Sequence, residues 1–220
     1  MSIFFAANHM DAFENQRGRT SSATDYSRQH VDAPIDEPRT GFSVASDVGI
    51  AADGFWLHFI YGTGSSYTSQ DRDFGWVIKN TNGDLVLDTP NANNGEITFR
   101  LYGASGGTQT VVSGTDPYLF SAGNTPFTMD IHIYTDSGNA KCDIYRESAL
   151  YASITVTGEA HRGCGSVEFG SFSSSDDWFT EVILADESTL GMRVASMKID
   201  SNGTHQDWGG SYTDVRGDVT

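Results

Sequence analysis

The chain has 220 residues, with 24 Gly but only 5 Pro, and 29 acidic against 13 basic side chains, for a formal net charge of −16. A chain of that length buries a sizeable core without disulfide support, and its acidic balance repels phosphate backbones, which argues against a nucleic-acid partner. No apolar run approaches the ~18 residues of a membrane-spanning helix, so membrane insertion is not expected.

Residues 1–40 read as an extended N-terminal arm. Ile3, Phe4 and Phe5 open it without the basic flank of a secretory signal, so synthesis and use in the producer's cytoplasm are expected. A polar, weakly patterned stretch follows, then Pro34 and Pro38, which oppose regular structure. From residue 41 the strand signals are dense. Residues 54–61 are apolar on both faces, the mark of a central strand covered on two sides. Residues 74–79 and 85–87 flank Asn82 and Gly83, a pair that tolerates positive φ and marks a hairpin. Ile97, Phe99 and Leu101 alternate with Glu96, Thr98 and Arg100, and a short strand is expected over 106–112. Phe127, Met129, Ile131 and Ile133 share one face of the next strand, leaving His132 on the other. Residues 136–139 turn into 140–145, where Cys142 and Ile144 are in phase on a core face. Leu150, Ala152, Ile154 and Val156 alternate again, and residues 166–172 add a further strand. Roughly ten or more strands at the ~8–12-residue spacing of sandwiches predict an all-β protein, an antiparallel β-sandwich. No helical period competes, and no internal repeat suggests a propeller or solenoid.

Residues 178–199 read as strand, polar turn, strand. Trp178, Thr180, Val182 and Leu184 are expected on one face, with Phe179, Glu181, Ile183 and Ala185 on the other. An aromatic, then Glu181, Val182 and Ile183, then Ala185, Asp186 and Glu187, then Thr189, then Gly191, Met192, Arg193 and Val194, make a distinctive string, with Trp208, Gly209 and Gly210 further on. This string resembles a segment of tailed-bacteriophage virion proteins at the end of a concanavalin A-like lectin/glucanase (LamG-like) jelly roll. The resemblance implies a jelly-roll sandwich over residues 41–200, followed by a C-terminal tail, 201–220. It further implies a structural virion protein assembled in the host cytoplasm. Its work would be that of a non-catalytic attachment module, in a tail fibre or tail tip. Its partners would be other virion proteins, further copies of itself on the particle, and host cell-surface glycans. A capsid decoration protein, or a carbohydrate-active hydrolase or lyase of the same fold, are the alternatives.

Glycoside hydrolysis needs two carboxylates flanking the bond. Glucanases of the family that the chain resembles carry E-x-D-x-x-E on one strand, and that string is missing here. Glu181 and Asp186 are expected on opposite strand faces, and Asp186 and Glu187 belong to the turn, so no catalytic residue is assigned. The six histidines are scattered without metal-ligand spacing, and His58 reads as a core histidine. No cofactor is expected. Calcium is the one metal the resemblance suggests, with Asp71, Asp73, Asp176 and Asp177 as candidate ligands against their reading as polar turns. Tyr61, Tyr67, Tyr118 and Tyr212, in or near Gly- and Ser-rich loops, are candidate glycan contacts. Phe4, Phe5, Phe13 and Trp208 are candidate subunit contacts. Each buried Phe contributes ~1.5–3 kcal/mol, and Ile3, Phe4, Phe5 and Phe13 either add an edge strand or dock on a neighbouring subunit. The second is the expectation, since a monomeric sandwich has already filled its core; deleting residues 1–40 would then leave a folded sandwich that assembles poorly. Cys142 reads as a buried free thiol, and a single Cys142–Cys164 bridge stays open.

Overall fold

The structure, a computed structural model, describes residues 2–7, 29–31, 40–62, 74–89, 98–112, 127–171 and 177–193. Among these residues the regular structure is all β: β1 (Ile3–Ala7), β2 (Gln29–Val31), β3 (Thr40–Val48), β4 (Phe55–Gly62), β5 (Phe74–Lys79), β6 (Leu85–Asp88), β7 (Thr98–Tyr102), β8 (Thr108–Val112), β9 (Phe127–Asp136), β10 (Asn139–Arg146), β11 (Ala149–Val156), β12 (Cys164–Ser171) and β13 (Asp177–Ala185). They form two antiparallel sheets. The seven-stranded sheet runs β1-β13-β4-β9-β10-β11, with β2 also on β13, and the six-stranded sheet runs β3-β12-β5-β6-β7-β8. The chain crosses between sheets after β2, β3, β4, β8, β11 and β12. This is a β-sandwich of jelly-roll type, as the alternation predicts.

The core lies between the sheets. Phe55, Leu57 and Phe59 of β4, Met129, Ile131 and Ile133 of β9, and Cys142 and Ile144 of β10 face Trp76, Ile78, Leu87, Phe99, Val167 and Phe169. Phe59 meets Trp76 and Phe169 edge-on at 5.3 and 5.2 Å, the geometry that ring quadrupoles favour. Gly54 sits where β4 starts across β9: its φ is +72°, and a Cβ there would lie 1.7 Å from the Ile133 carbonyl oxygen. Both cysteines are buried and free, so the bridge is not formed. Burial pushes both thiols up, Cys142 and Cys164 alike, and keeps them protonated and inert.

Turn chemistry explains the hairpins. In the β5–β6 turn the Asn80 side-chain oxygen accepts from the amides of Asn82 and Asp84, and Gly83 takes φ +85°. The β9–β10 turn places Ser137 and Gly138 at φ 52° and 75°, the double positive φ of a two-residue type I′ connection. The β10–β11 turn does the same with Glu147 and Ser148, at 49° and 64°, and neither is glycine. An L-residue in that region costs ~1–2 kcal/mol, partly offset in Gly by its looser unfolded chain. Ser148→Gly is therefore expected to raise stability by about 0.5–1 kcal/mol in chemical denaturation; a lower midpoint would contradict this account of the turn.

The structure departs from the expected pattern in three places. The arm boundary at residue 40 is not the boundary of the sheet. β1 pairs with β13 through Ile3↔Ala185, Phe5↔Leu184, Ala6↔Ile183 and Ala7↔Val182, and β2 pairs with the start of β13. Apolar Ile3–Ala7 covers the β13 backbone, which would otherwise be an unpaired edge. Secondly, β13 carries a bulge: Thr180 lies opposite Ile60 but Ile183 lies opposite His58, so Glu181 and Val182 share one partner position. Glu181 adopts φ 53° there. The bulge shifts the alternation by one residue, so Trp178 and Thr180 are out of phase with Val182 and Leu184. Thirdly, Ile144 pairs with Ala152 but Tyr145 with Leu150, so Tyr151 is the extra residue. It packs edge-on toward Phe99 at 6.4 Å, while Leu150 is 59% exposed rather than inward.

Candidate functional site

The outer face of the seven-stranded sheet concentrates the chemistry. Inward apolar residues on β4, β9 and β10 fix, by alternation, which residues face outward: Trp56 and His58, then Asp130, His132 and Tyr134, then Lys141, Asp143 and Tyr145. Register aligns them into rows across the strands. One row is Ala185, Trp56, His132, Asp143 and Ser153; the next is Ile183, His58, Asp130, Tyr145 and Leu150.

One part of this face is sealed. His58 Nδ1 lies 2.8 Å from Asp130 Oδ1, and both side chains are only 1% exposed. The fully buried Thr189 donates its hydroxyl to the same Asp130 oxygen at 2.6 Å. His58 Nε2 and Asp130 Oδ2 are buried without a hydrogen-bond partner among the described residues. Thr189 belongs to the turn after β13, which is fastened at three points. At its start, the Asp186 amide donates to the Ser2 carbonyl at 3.1 Å, and the Ser2 amide donates back to the Asp186 carboxylate at 2.5 Å. That bond from Ser2 holds the Asp186 carboxyl below its usual range. In the middle, Thr189 bonds Asp130 and accepts from the Met192 amide at 2.9 Å. At its end, Arg193 grips Glu181 through Nε and Nη2 at 2.6 and 2.9 Å. The distinctive residues Glu181, Asp186, Thr189, Gly191 (φ +78°) and Arg193 thus build a clasp over their own sheet.

The other part is half-buried. The His132 ring lies between Trp56 and Tyr134, with centroids 4.2 Å away on each side and rings within 13° of parallel. Tyr145 stacks beside Trp56 at 5.7 Å. His132 Nε2 is 2.9 Å from the Asp53 carbonyl oxygen. Burial lowers the His132 pKa against the opposing pull of that carbonyl. The ring is therefore neutral at pH 7, donating through Nε2 and leaving Nδ1 as an acceptor. Asp143 is held by neighbours on both sides: the Tyr134 hydroxyl donates to one oxygen at 2.9 Å and Ser153 to the other at 2.5 Å. Burial, aided by Asp143, pushes the Tyr134 hydroxyl up to about 12, and the Tyr145 hydroxyl moves the same way. Both tyrosines remain donors across the physiological range. Lys141, next in line, is drawn to Asp136 at 2.5 Å. The arrangement is an aromatic row beside an oriented carboxylate, half-buried except for Trp56, which is buried.

Of the residues expected from sequence, Phe4, Phe5, Tyr61 and Asp177 lie among the described residues. Phe5 is half-buried and stacks on Phe42 of the other sheet at 3.8 Å, while Phe4 is 38% exposed. Tyr61 lies in β4 opposite Phe127 and Phe179, and Asp177 lies in β13 opposite Val31. Phe13, Tyr67, Asp71, Asp73, Tyr118, Asp176, Trp208 and Tyr212 lie outside the described residues. Among the described residues no group of three or more His, Cys, Asp and Glu is placed to hold a metal ion. Trp56, His132, Tyr134, Asp143 and Tyr145 were not singled out as a site. Their signal was an aromatic or acid at outward positions of three neighbouring segments.

The sandwich is similar in architecture to solved receptor-binding domains. The ligand-binding domain of botulinum neurotoxin serotype D, solved in complex with N-acetylneuraminic acid, superposes with a TM-score of 0.60 at 11% identity, covering 84% of this chain and 48% of that one. The receptor-binding domain of botulinum neurotoxin D covers 98% of this chain and 51% of its own, with a TM-score of 0.57 and 12% identity. The binding domain of botulinum neurotoxin DC in complex with SialylT gives 0.58 at 10% identity, over 84% and 48%. The chain thus spans about half the length of these neighbours. No family model matches the sequence, and no curated protein matches it.

Proposed function

We propose that this chain is a non-catalytic glycan-binding attachment module, carried in repeated copies on the particle of a tailed bacteriophage. The observation that carries the binding half is the partly exposed row of His132, Tyr134 and Tyr145, stacked around the buried Trp56 and beside the doubly held Asp143. Sugars present apolar ring faces and rows of hydroxyls, and this surface offers aromatic rings and fixed acceptors together. The neighbours in fold are binding domains, two of them solved with N-acetylneuraminic acid or SialylT. Fold alone does not carry function, so the weight rests on the row. Catalysis is not favoured by the acids on this face: Asp130, the carboxylate nearest in register to Asp143, is fully buried and already accepts from His58 and Thr189. The phage half rests on the sequence string at 181–194 and on the value of repetition. Weak single-site affinity becomes firm attachment when many copies engage one surface. A tail fibre or tail tip meets host glycans first and is the favoured position, with capsid decoration second.

The test is retention on immobilised glycans. Wild-type protein displayed multivalently is expected to bind a subset, and Tyr145→Ala with Asp143→Asn to lose at least tenfold in affinity with an unchanged melting temperature. Failure to bind any glycan, or binding indifferent to both substitutions, would remove this site from the proposal. Imaging of the intact particle tests the position.

A further inference from the structure

We infer that the site selects uncharged sugars and discriminates against sugar acids, including the sialic acids bound by its structural neighbours; this rests on the glycan-binding reading above. An anionic sugar needs a free cation or a nest of backbone amides to receive its carboxylate. The row supplies neither among the described residues. Its central group is the Asp143 carboxylate, which only accepts, and each of its oxygens keeps a further acceptor direction beyond the bonds from Tyr134 and Ser153. His132 adds a second acceptor through Nδ1, since Nε2 is committed to Asp53. Tyr145 contributes a protonated hydroxyl. The cations nearby on the described strands and the clasp are taken: Lys141 by Asp136 and Arg193 by Glu181 through two bonds, while Arg146, beside Tyr145 in β10, is not free either. The bonds to Asp143 come from neutral hydroxyls, so the carboxylate opposes an approaching anion within the ~8 Å reach of electrostatics at physiological salt.

Hydroxyls suit such a surface. A pair of neighbouring sugar hydroxyls can donate to Asp143 and His132, and one can accept from Tyr145. Both faces of His132 are covered by Trp56 and Tyr134, so the apolar side of a pyranose meets the partly exposed outer rings of the row, Tyr134 and Tyr145. The ligand class is therefore a neutral hexopyranose terminus, recognised through its hydroxyls.

A matched pair of probes decides this. Hexopyranosides of gluco, galacto and manno configuration are compared with their uronides, which keep the ring and replace the C6 hydroxymethyl by a carboxylate. N-acetylneuraminic acid conjugates join the panel, all on the same polymer. Binding of the full chain is read by interferometry at about 50 and 500 mM salt, the higher salt shortening the screening length toward ~4 Å. At least one hexopyranoside is expected to bind tenfold or more tightly than its uronide at low salt. The gap should shrink at high salt, and again in Asp143→Asn. A uronide or sialoside bound as tightly as the best hexopyranoside would overturn the selectivity while leaving glycan binding intact. A gap that ignores both salt and Asp143→Asn would overturn the electrostatic origin. Absence of binding to every probe would instead sink the glycan reading itself.

Discussion

Deleting residues 1–40 is expected to destabilise the sandwich strongly, with a melting temperature lowered by about 10 °C or more. β1 occupies the edge of β13 along Val182 to Ala185, and its removal leaves that backbone edge unpaired in an apolar setting. It also removes Phe5, which lies 3.8 Å from Phe42 with rings 4° from parallel. Phe42 belongs to the six-stranded sheet, so this pair ties the two sheets at that side. Burial of one Phe contributes ~1.5–3 kcal/mol, and an aromatic pair ~0.5–1.5 kcal/mol beyond area. For a domain of 150–250 residues each kcal/mol moves the midpoint by ~2–4 °C. Phe5→Ala in the full chain is expected to give a smaller fall of the same kind. A truncated protein that melts like wild type but fails to incorporate into particles would restore the reading of this segment as a docking arm.

Asp130→Ala should be the most damaging single substitution on the outer face. It strips the acceptor from His58 Nδ1 and from the Thr189 hydroxyl at once. Removing one partner of a buried ionic or polar pair costs ~3–5 kcal/mol when the other is left charged, and ~1–3 kcal/mol when it is merely unsatisfied. Since His58 is 1% exposed, no water is at hand to replace the lost acceptor. Thr189→Val removes only one donor and is expected to cost about 1 kcal/mol. The double variant should cost less than the sum, because both act through one oxygen. Denaturant titration measures all three. A loss below about 0.5 kcal/mol for Asp130→Ala would show that the node contributes little, and additive losses would show that the clasp is held independently of it.

The sandwich was legible because its information is local. Period-2 alternation at Phe99 and Leu101, at Met129, Ile131 and Ile133, and at Cys142 and Ile144 identifies inward residues directly, and each is buried. The central strand announced itself too: Trp56, His58 and Ile60 are buried on the outer face, as Phe55, Leu57 and Phe59 are on the inner. What alternation could not show was the bulges at Glu181 and Tyr151, where one extra residue inverts the phase without any compositional mark. Nor could it show partners. The site joins β4 to β9, segments separated by 72 positions at His58 and Asp130, and register over that distance is set by the whole core. The resemblance-bearing string pointed outward, to assembly, whereas its polar residues bond inward, to Ser2, Asp130 and Glu181.

Pairing of β1 with β13 also governs when this protein can finish folding. Ser2 and Asp186, bonded across the edge, are 184 positions apart. Closing a loop of that size precedes any reward from the contact, so such topologies reach the native state late and slowly. Until β13 is available, Ile3, Phe4 and Phe5 form an uncharged, aromatic, strand-prone segment with no native partner, the kind that pairs with copies of itself on neighbouring chains. The same five-residue strand that seals the finished sandwich is therefore its chief hazard during synthesis, and the yield of native protein will depend on concentration and temperature while that edge waits.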